Sequence, residues 1–318
     1  MIIQRYNPSL QATWDAFVRD SKNGTFLFER GYMDYHSDRF VDHSLMYYDA
    51  KRRLVALLPA NEVTATGDYY SHQGLTYGGF ILTVRNTVEQ VMELMSDTLD
   101  YLRQQGFERW HYKQMPTIYH RCPAEEDEYA LWRAGAVIEV CNISCSVPLM
   151  MPPIMERRRK RGVSRAEELG YQLEEGASLE EFWPIMVENL RERYDASPVH
   201  TLAEMQLLQS RFPDRIRCYL VRDAQGVAQA GAVVFLTCPL TVHVQYAHAT
   251  HQGKADGAID LLYVRLMDLF RRQGYSYFDI GTSNEQGGRI LNEALIAQKE
   301  GFGGRGIAYK TFLLRVMC

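Results

Sequence analysis

The residues best suited to chemistry lie between Thr241 and Gly304. The run TVHVQYAHA, Thr241–Ala249, alternates as a strand does and predicts Tyr246 and His248 on one face with Val242 and Val244. An imidazole titrates near neutrality, so His248 at a strand end can take a proton from a nucleophile, with Tyr246 beside it. Glu285 is the rival proton acceptor and needs partial burial to titrate usefully. The plainer role for His248 is that of a satisfied structural histidine. Just downstream, Gln252, Gly253, Lys254, Gly257 and Ala258 form a small-residue loop before a helical run with Ile259, Leu262, Leu266 and Leu269 on one stripe. A helix N-terminus placed there offers free N–H groups and the positive end of the helix dipole to a phosphate. Lys254 adds charge to such a site, or is simply an exposed loop lysine. On the phosphate reading, Gly257→Val crowds the loop backbone and blocks a ligand without unfolding the chain.

A polar turn, Gly281–Glu285, follows the apolar strand Tyr275–Ile280. In an α/β domain the carboxyl end of a strand is a favoured ligand position. Ser283 and Asn284 either hydrogen-bond an acceptor there or cap the next helix. That helix is predicted to carry Asn292 and Lys299 seven residues apart on one face, although Lys299 also suits the negative C-terminal end of the dipole. In the first half, His72 and Tyr77 fall in the glycine-rich run SHQGLTYGGFI. They line an acceptor cleft or make a structural turn. No phosphate-type loop and helix N-terminus follows them, so the first half is read as lacking a donor site. Tyr35, His36 and Arg39 are a further candidate set for a sugar or nucleotide, or belong to a short surface helix.

The elements that must position these groups occur twice. DYLRQQGFERWHYK (Asp100–Lys113) and DLFRRQGYSYFDIG (Asp268–Gly281) both read as a helix end, a glycine stop and an aromatic strand, with Gly106 and Gly274 168 positions apart. Ser44–Ala60 and Arg217–Leu236 both read as strand, turn, strand. Helical stretches Leu10–Val18 and Leu179–Arg193 open the two halves. The fold class is therefore α/β of mixed α+β order: two domains, 1–150 and 151–318, each a mostly antiparallel mixed sheet flanked by helices. Pro152 ends the preceding strand, and a basic connecting helix, 154–169, carries Arg157, Arg158, Arg159, Lys160, Arg161 and Arg165 as a solvated face or a phosphate-binding stripe.

The 318 residues are 46% apolar and 23% charged, a composition able to build a real core. A net charge of −4 argues against a general nucleic-acid binder. No leader-like or membrane-spanning apolar run is present. Six scattered cysteines lack paired metal spacing. Cys141 and Cys145 share a strand face and read as small core residues. A reduced, cytoplasmic protein with no metal is expected.

The strand Thr241–Ala249 followed by HQGKADGA resembles, loosely, the cofactor loop of the GNAT superfamily. Two such halves joined by a basic helix resemble the Fem-type aminoacyl-tRNA-dependent peptidyltransferases and their GNAT-like bacterial relatives associated with surface-polysaccharide synthesis. FDIGTSNEQGGRILNEALIAQKEGFGGRG, FLFERGYMDYHSDRF and SHQGLTYGGFI look much like stretches of that last group. The resemblance implies two tandem GNAT-like acyltransferase domains. It implies an acyl-CoA donor, acetyl-CoA foremost, held by Gln252–Ala258, and a small-molecule acceptor amine on a nucleotide-sugar or envelope precursor. Backbone groups of Thr241–Ala249 would polarise the donor carbonyl, with His248 or Glu285 as base. Two alternatives stay open: transfer from aminoacyl-tRNA, and a binding protein whose donor site has decayed.

Overall fold

Apolar residues at helical spacing, glycine stops and alternating strands build two units in the computed structural model, which describes every residue except Pro153, Asp195 and Cys318. One unit comprises Met1–Ile143, Asn284–Ile290 and Ala308–Cys318; the other comprises Ser144–Ser283 and Leu291–Ile307. Each half of the sequence thus supplies most of one unit, while the last strand returns to the first.

The first unit contains β1 (Ile2–Arg5), α1 (Gln11–Asp20), α2 (Arg30–Met33), β2 (Val41–Asp42), β3 (Leu45–Tyr48), β4 (Leu54–Leu58), β5 (Asn61–Val63), β6 (Asp68–Tyr70), β7 (Ile81–Leu82), α3 (Val88–Gln104), β8 (Arg109–Lys113), α4 (Glu126–Arg133) and the start of β9 (Val137–Pro148). Strands β1, β3, β4 and β7 form an antiparallel sheet. In a second sheet β6 runs parallel to β8 and antiparallel to β5. Thr87 and Gln90 form a reciprocal capping box on α3. Its apolar face, Val91, Leu94, Met95 and Leu102, packs into a core with Tyr69, Phe80 and Trp110.

The second unit contains α5 (Arg157–Glu168), β10 (Gln172–Glu175), α6 (Leu179–Tyr194), α7 (Leu202–Arg211), β11 (Ile216–Arg222), β12 (Ala228–Leu236), β13 (Thr241–Ala249), α8 (His251–Asp256), α9 (Ala258–Arg272), β14 (Tyr277–Thr282) and α10 (Glu293–Glu300). Strands β10 to β13 are antiparallel neighbours, β13 and β14 are parallel, and β14 pairs antiparallel with Ser144–Pro148 of β9. Helix α9 buries Leu262, Leu266 and Phe270 against Ala232, Val234, Val242 and Val244 on one sheet face.

Several local expectations change. Gln252–Asp256 is not a loop but lies in α8, capped by Thr250, whose side chain accepts from the Gly253 N–H. The polar turn does not lead straight into a helix. Asn284–Glu285 and Ile290–Leu291 form a small two-stranded ribbon, and α10 begins only at Glu293. Ser283 and Asn284 therefore cap no helix, and Asn292 is the N-cap of α10 rather than a residue on the Lys299 face. Cys145 is buried, whereas Cys141 is exposed and is not a core residue.

Helix α5 lies across the N-terminus of α9. Gly257, at φ +86°, carries the chain from α8 into α9, and a Cβ there would stand 2.2 Å from the Gly162 carbonyl oxygen. A Cβ on Gly162 would stand 2.1 Å from Asp260 Oδ2. Arg159 meets Asp260 at 2.8 Å and Arg165 meets Asp256 at 3.1 Å. The Gln252 amide and the Tyr171 hydroxyl also donate to Asp256, holding its carboxyl below the usual carboxylate range. Two glycines thus let the backbones approach, and two ion pairs close the contact. Gly257→Ala combines a left-handed backbone with a clash, so it should lower stability by about 2–4 kcal/mol. Gly274→Ala, also at positive φ but with open space around its Cβ, should cost only about 1–2 kcal/mol. Urea unfolding midpoints compare the two, and equal losses would mean that the α5–α9 contact is not tight.

Candidate active site

Strands β13 and β14 are hydrogen-bonded neighbours only over Thr241–His243 and Tyr277–Asp279. Beyond the His243↔Asp279 pair they part. Asp279, fully buried, is clamped at the fork: Oδ2 lies 2.7 Å from His243 Nδ1, and Oδ1 accepts from Ser144 Oγ at 2.6 Å. Past the fork, the β13 edge that β14 would have covered borders a cavity of about 440 Å³. Its walls include Gln245, Tyr246, His248, Asn189, Lys254, Asp260 and Lys299.

A β-bulge interrupts β13 at this level, in its ladder with β12. Val244 pairs with Val234 and Tyr246 with Val233, which leaves Gln245 as the extra residue. Paired residues share a sheet face, and Val233 and Val234 lie on opposite faces. Tyr246 and His248 therefore do not share the Val242–Val244 face, as simple alternation predicts. The bulge turns them to the other side, where α6 packs. Val244, Ala247 and Ala249 face α9.

On the α6 side, His248 is half-buried with Nδ1 3.1 Å from Asn189 Oδ1. The Asn189 amide is oriented by donating Nδ2–H to the Ala249 carbonyl at 3.4 Å, which turns its oxygen to the ring. His248 therefore donates from Nδ1 and keeps Nε2 as the unprotonated nitrogen. Burial, with a smaller push from Lys254, lowers its pKa to about 4, so the ring is neutral at physiological pH. Tyr246 holds a neighbouring position: its hydroxyl is 2.7 Å from His200 Nδ1, and burial raises its pKa.

Lys299 closes the opposite wall. Its ammonium donates to the Gly281 and Thr282 carbonyls at 2.8 and 2.7 Å, satisfying the end of β14 after it leaves its partner. Burial lowers its pKa from 10.5 to about 8, with Asp279 and Cys145 opposing. Lys254 is exposed and lines the cavity. Arg159 crosses the Phe302 ring at 4.8 Å and reaches Asp260 on the same wall.

The structure thus gathers Tyr246, His248, Lys254 and Lys299 around one cavity. Gln252 is engaged with Asp256, Gly253 is buried under the Gln229 carbonyl, Gly257 is covered by Gly162, and Ala258 is core. The α9 N-terminus is accordingly complemented by Asp256 and Asp260 of the chain itself, not left open as a phosphate cradle. Ser283 is buried and its carbonyl accepts from the Asn292 N–H; Asn292 Oδ1 caps α10. Asn284 and Glu285 belong to the first unit, where Asn284 accepts from the Ile143 N–H and Glu285 is exposed, without the burial that a useful base needs.

His72 and Tyr77 also lie in the first unit, both buried. There β6 and β8 end their parallel pairing at Tyr70↔His111, and the chain itself fills the space that follows. Ser71 Oγ accepts from the Lys113 N–H at 2.7 Å, and Gly78 N–H donates to the Lys113 carbonyl at 3.0 Å. His72, at φ +65°, stacks on His36 with 5.2 Å between centroids. Lys113 donates to the Gln73 and Leu75 carbonyls at 2.9 and 2.8 Å, and burial lowers its pKa to about 8. This filled fork makes the first unit's run a structural turn.

Sequence reasoning missed Asn189, Gln245, Arg159 as a cavity residue, and the His243–Asp279 clamp. The bulge carries no local signal, and Asn189 sits in an ordinary polar helix run. Two lysines, Lys113 and Lys299, should titrate near pH 8 when the protein is reductively ¹³C-methylated and followed by NMR. Lys299→Met should remove one of these signals and Lys113→Met the other. Ordinary lysine titration of both would show that the ammonium sites are open to water.

No protein-family profile matches the chain, and no curated protein matches it. Solved structures do. FemX aligns over 99% of this chain and 97% of its own at 11% identity, with a TM-score of 0.70. L-PGS from Bacillus licheniformis aligns over 100% and 95% at 14% identity, with a TM-score of 0.65. A tandem GNAT protein from the clavulanic acid biosynthesis pathway aligns over 100% and 99% at 10% identity, with a TM-score of 0.54. At these identities the likeness is one of fold. Two mixed α/β units with a forked parallel strand pair, matched end to end by these structures, give the chain the tandem GNAT-like, Fem-type fold.

Proposed function

We propose that this chain transfers an acyl group from an activated carboxyl donor to an amine, by direct attack at the free edge of β13. The carrying observation is the fork after His243–Asp279, where β13 loses its β14 neighbour and carries the Gln245 bulge in its ladder with β12. A bulged residue has backbone groups unclaimed by the ladder, and an N–H directed at a developing oxyanion is the donor such chemistry needs. The cavity reaches both faces of the sheet around this edge. The donor carbonyl enters on the α9 side and the acceptor amine on the α6 side, where His248 stands. An attacking amine must lose a proton. The neutral His248 ring, with Nε2 unprotonated and Nδ1–H fixed by Asn189, accepts it as the C–N bond forms and the donor's leaving group departs. Lys299 holds the Gly281–Thr282 backbone and so keeps the fork open. Neither step forms an acyl-enzyme.

The donor expected from the sequence is acyl-CoA, with its pyrophosphate at Gln252–Ala258. The covered Gly257 and the Asp256 and Asp260 carboxylates favour the other open reading, an aminoacyl ester as carried by tRNA. A pyrophosphate seated there would displace α5 and face two carboxylates. Acyl-CoA bound along the Lys254 side of the cavity is the second reading. The acceptor amine, whether on a nucleotide-sugar or another envelope precursor, belongs to the same proposal.

Calorimetric titration with acetyl-CoA and with charged tRNA separates the donors. Tight aminoacyl-tRNA binding without micromolar acetyl-CoA binding is expected, and the reverse result would return the donor to acyl-CoA. In a transfer assay with the donor that binds, His248→Ala should slow turnover by about 10²-fold or more while donor affinity stays unchanged. Glu285→Gln should leave the rate as it is. An unslowed His248→Ala enzyme would remove the imidazole from the reaction.

A further inference from the structure

A second cavity, of about 480 Å³, lies on the flank of α9 and shares no lining residue with the cavity at β13. Its lining is largely apolar, with Leu149, Met150, Met151, Met155, Val264 and Met267, and its charged residues are Arg265, Asp268 and Arg271. The segment leading into α5 raises three large apolar side chains clear of the protein. Met150 is 72% exposed, Met151 64% and Ile154 78%. Scattered exposed apolar residues need no explanation, but three within five positions beside an apolar groove form a patch.

Cations follow it directly in the chain. Helix α5 begins just after Ile154, and Arg157, Lys160 and Arg161 on its exposed side make no ion pair or hydrogen bond through their side chains among the described residues. Arg158 pairs with Glu156, Arg265 with Glu167, and Arg271 and Arg272 share Asp268. Glu168 is the further exposed acid on α5. The chain as a whole carries a net charge of −4, so this basic cluster is a local feature.

We infer that this face is a docking surface for an anionic lipid bilayer. Unbranched methionines and an isoleucine enter the boundary between headgroups and acyl chains, and the arginines and lysine meet lipid phosphates at the rim. Both halves of the arrangement are needed, since a short apolar loop or a few basic residues alone give only marginal binding. Nucleic acid fits less well: it would use the cations but leave the exposed methionines and isoleucine in water, and no aromatic ring is among the residues lining the groove to stack on a base. The inference is independent of the transfer chemistry, because none of these residues lines the cavity at β13.

Vesicle co-sedimentation of the full chain tests it. Vesicles of phosphatidylcholine with one-third phosphatidylglycerol should pull the protein down, and phosphatidylcholine alone should not. The exposed triple variant Met150→Ser/Met151→Ser/Ile154→Ser should weaken binding by about ten-fold or more. Arg157→Glu/Arg161→Glu should weaken it at least as much and remove most of its salt dependence. All the altered side chains are exposed, so unchanged melting temperatures will show that the variants are folded. Failure to bind anionic vesicles, or binding indifferent to both variants, would overturn the proposal. So would analytical ultracentrifugation showing that the triple variant breaks a dimer of the parent, or binding of bare tRNA that only the charge variant loses.

Discussion

The parting of two parallel strands is the constraint on which the second unit is built. A ladder that stops halfway leaves N–H and C=O groups on both edges, and buried backbone groups must find partners. Here the two edges are treated differently. The β14 side is satisfied from within: Asp279 is tied to His243 and Ser144 at the fork, and the Lys299 ammonium takes the Gly281 and Thr282 carbonyls. The β13 side is left to the cavity. An ammonium buried against neutral carbonyls is held at a cost in solvation, which appears as its lowered pKa. That cost is tolerated because the alternative is a collapsed fork. The first unit shows such a collapse: a similar parallel pair ends, and residues of the same chain from Ser71 to Phe80 lie in the gap, with Lys113 binding their carbonyls instead.

The bulge at Gln245 divides the labour of the open edge between the faces of the sheet. Before it, Val242 and Val244 join the core beneath α9. After it, Tyr246 and His248 look toward α6 and Asn189, while Ala247 and Ala249 take the α9 side. Small residues on one side and polar rings on the other make room for two different ligands around one strand. On the α9 side the α5 contact sets the limit. Gly162 against Gly257, with Arg159–Asp260 and Arg165–Asp256 on either flank, uses the helix terminus for internal packing, and the largely buried Arg159–Asp260 pair is costly to break from one side.

Much of the fold was legible because it is written in periodicity. The α9 stripe, the glycine stops at Gly106 and Gly274 and the hairpins at Ser44–Ala60 and Arg217–Leu236 follow local rules that the structure keeps. The site was legible only in part. Tyr246, His248, Lys254 and Lys299 converge, yet the face of the first two was misread, because one inserted residue reverses an alternating pattern without altering composition. Gln252–Ala258 looked like a phosphate loop since small residues and a following helix are what that signal consists of. What occupies the helix terminus is decided by α5, some hundred positions earlier, and no local pattern reports it. Asn189 and the Asp279 clamp are likewise tertiary facts. Asn292 shows the same limit at shorter range, where a helix start displaced by a few residues turns a face residue into a cap.

The bulge also bears on how this sequence can change. A point substitution on β13 alters one side chain and leaves its neighbours where they are. Loss of Gln245 would remove the bulge and restore strict alternation with Val244 still beneath α9 and Tyr246 and His248 still on the α6 side, because the residue lost is the extra one. Loss of a paired residue beyond the bulge, such as Ala247, would instead turn His248 beneath α9, so Gln245 is the one position near the bend at which β13 can shorten without moving its histidine.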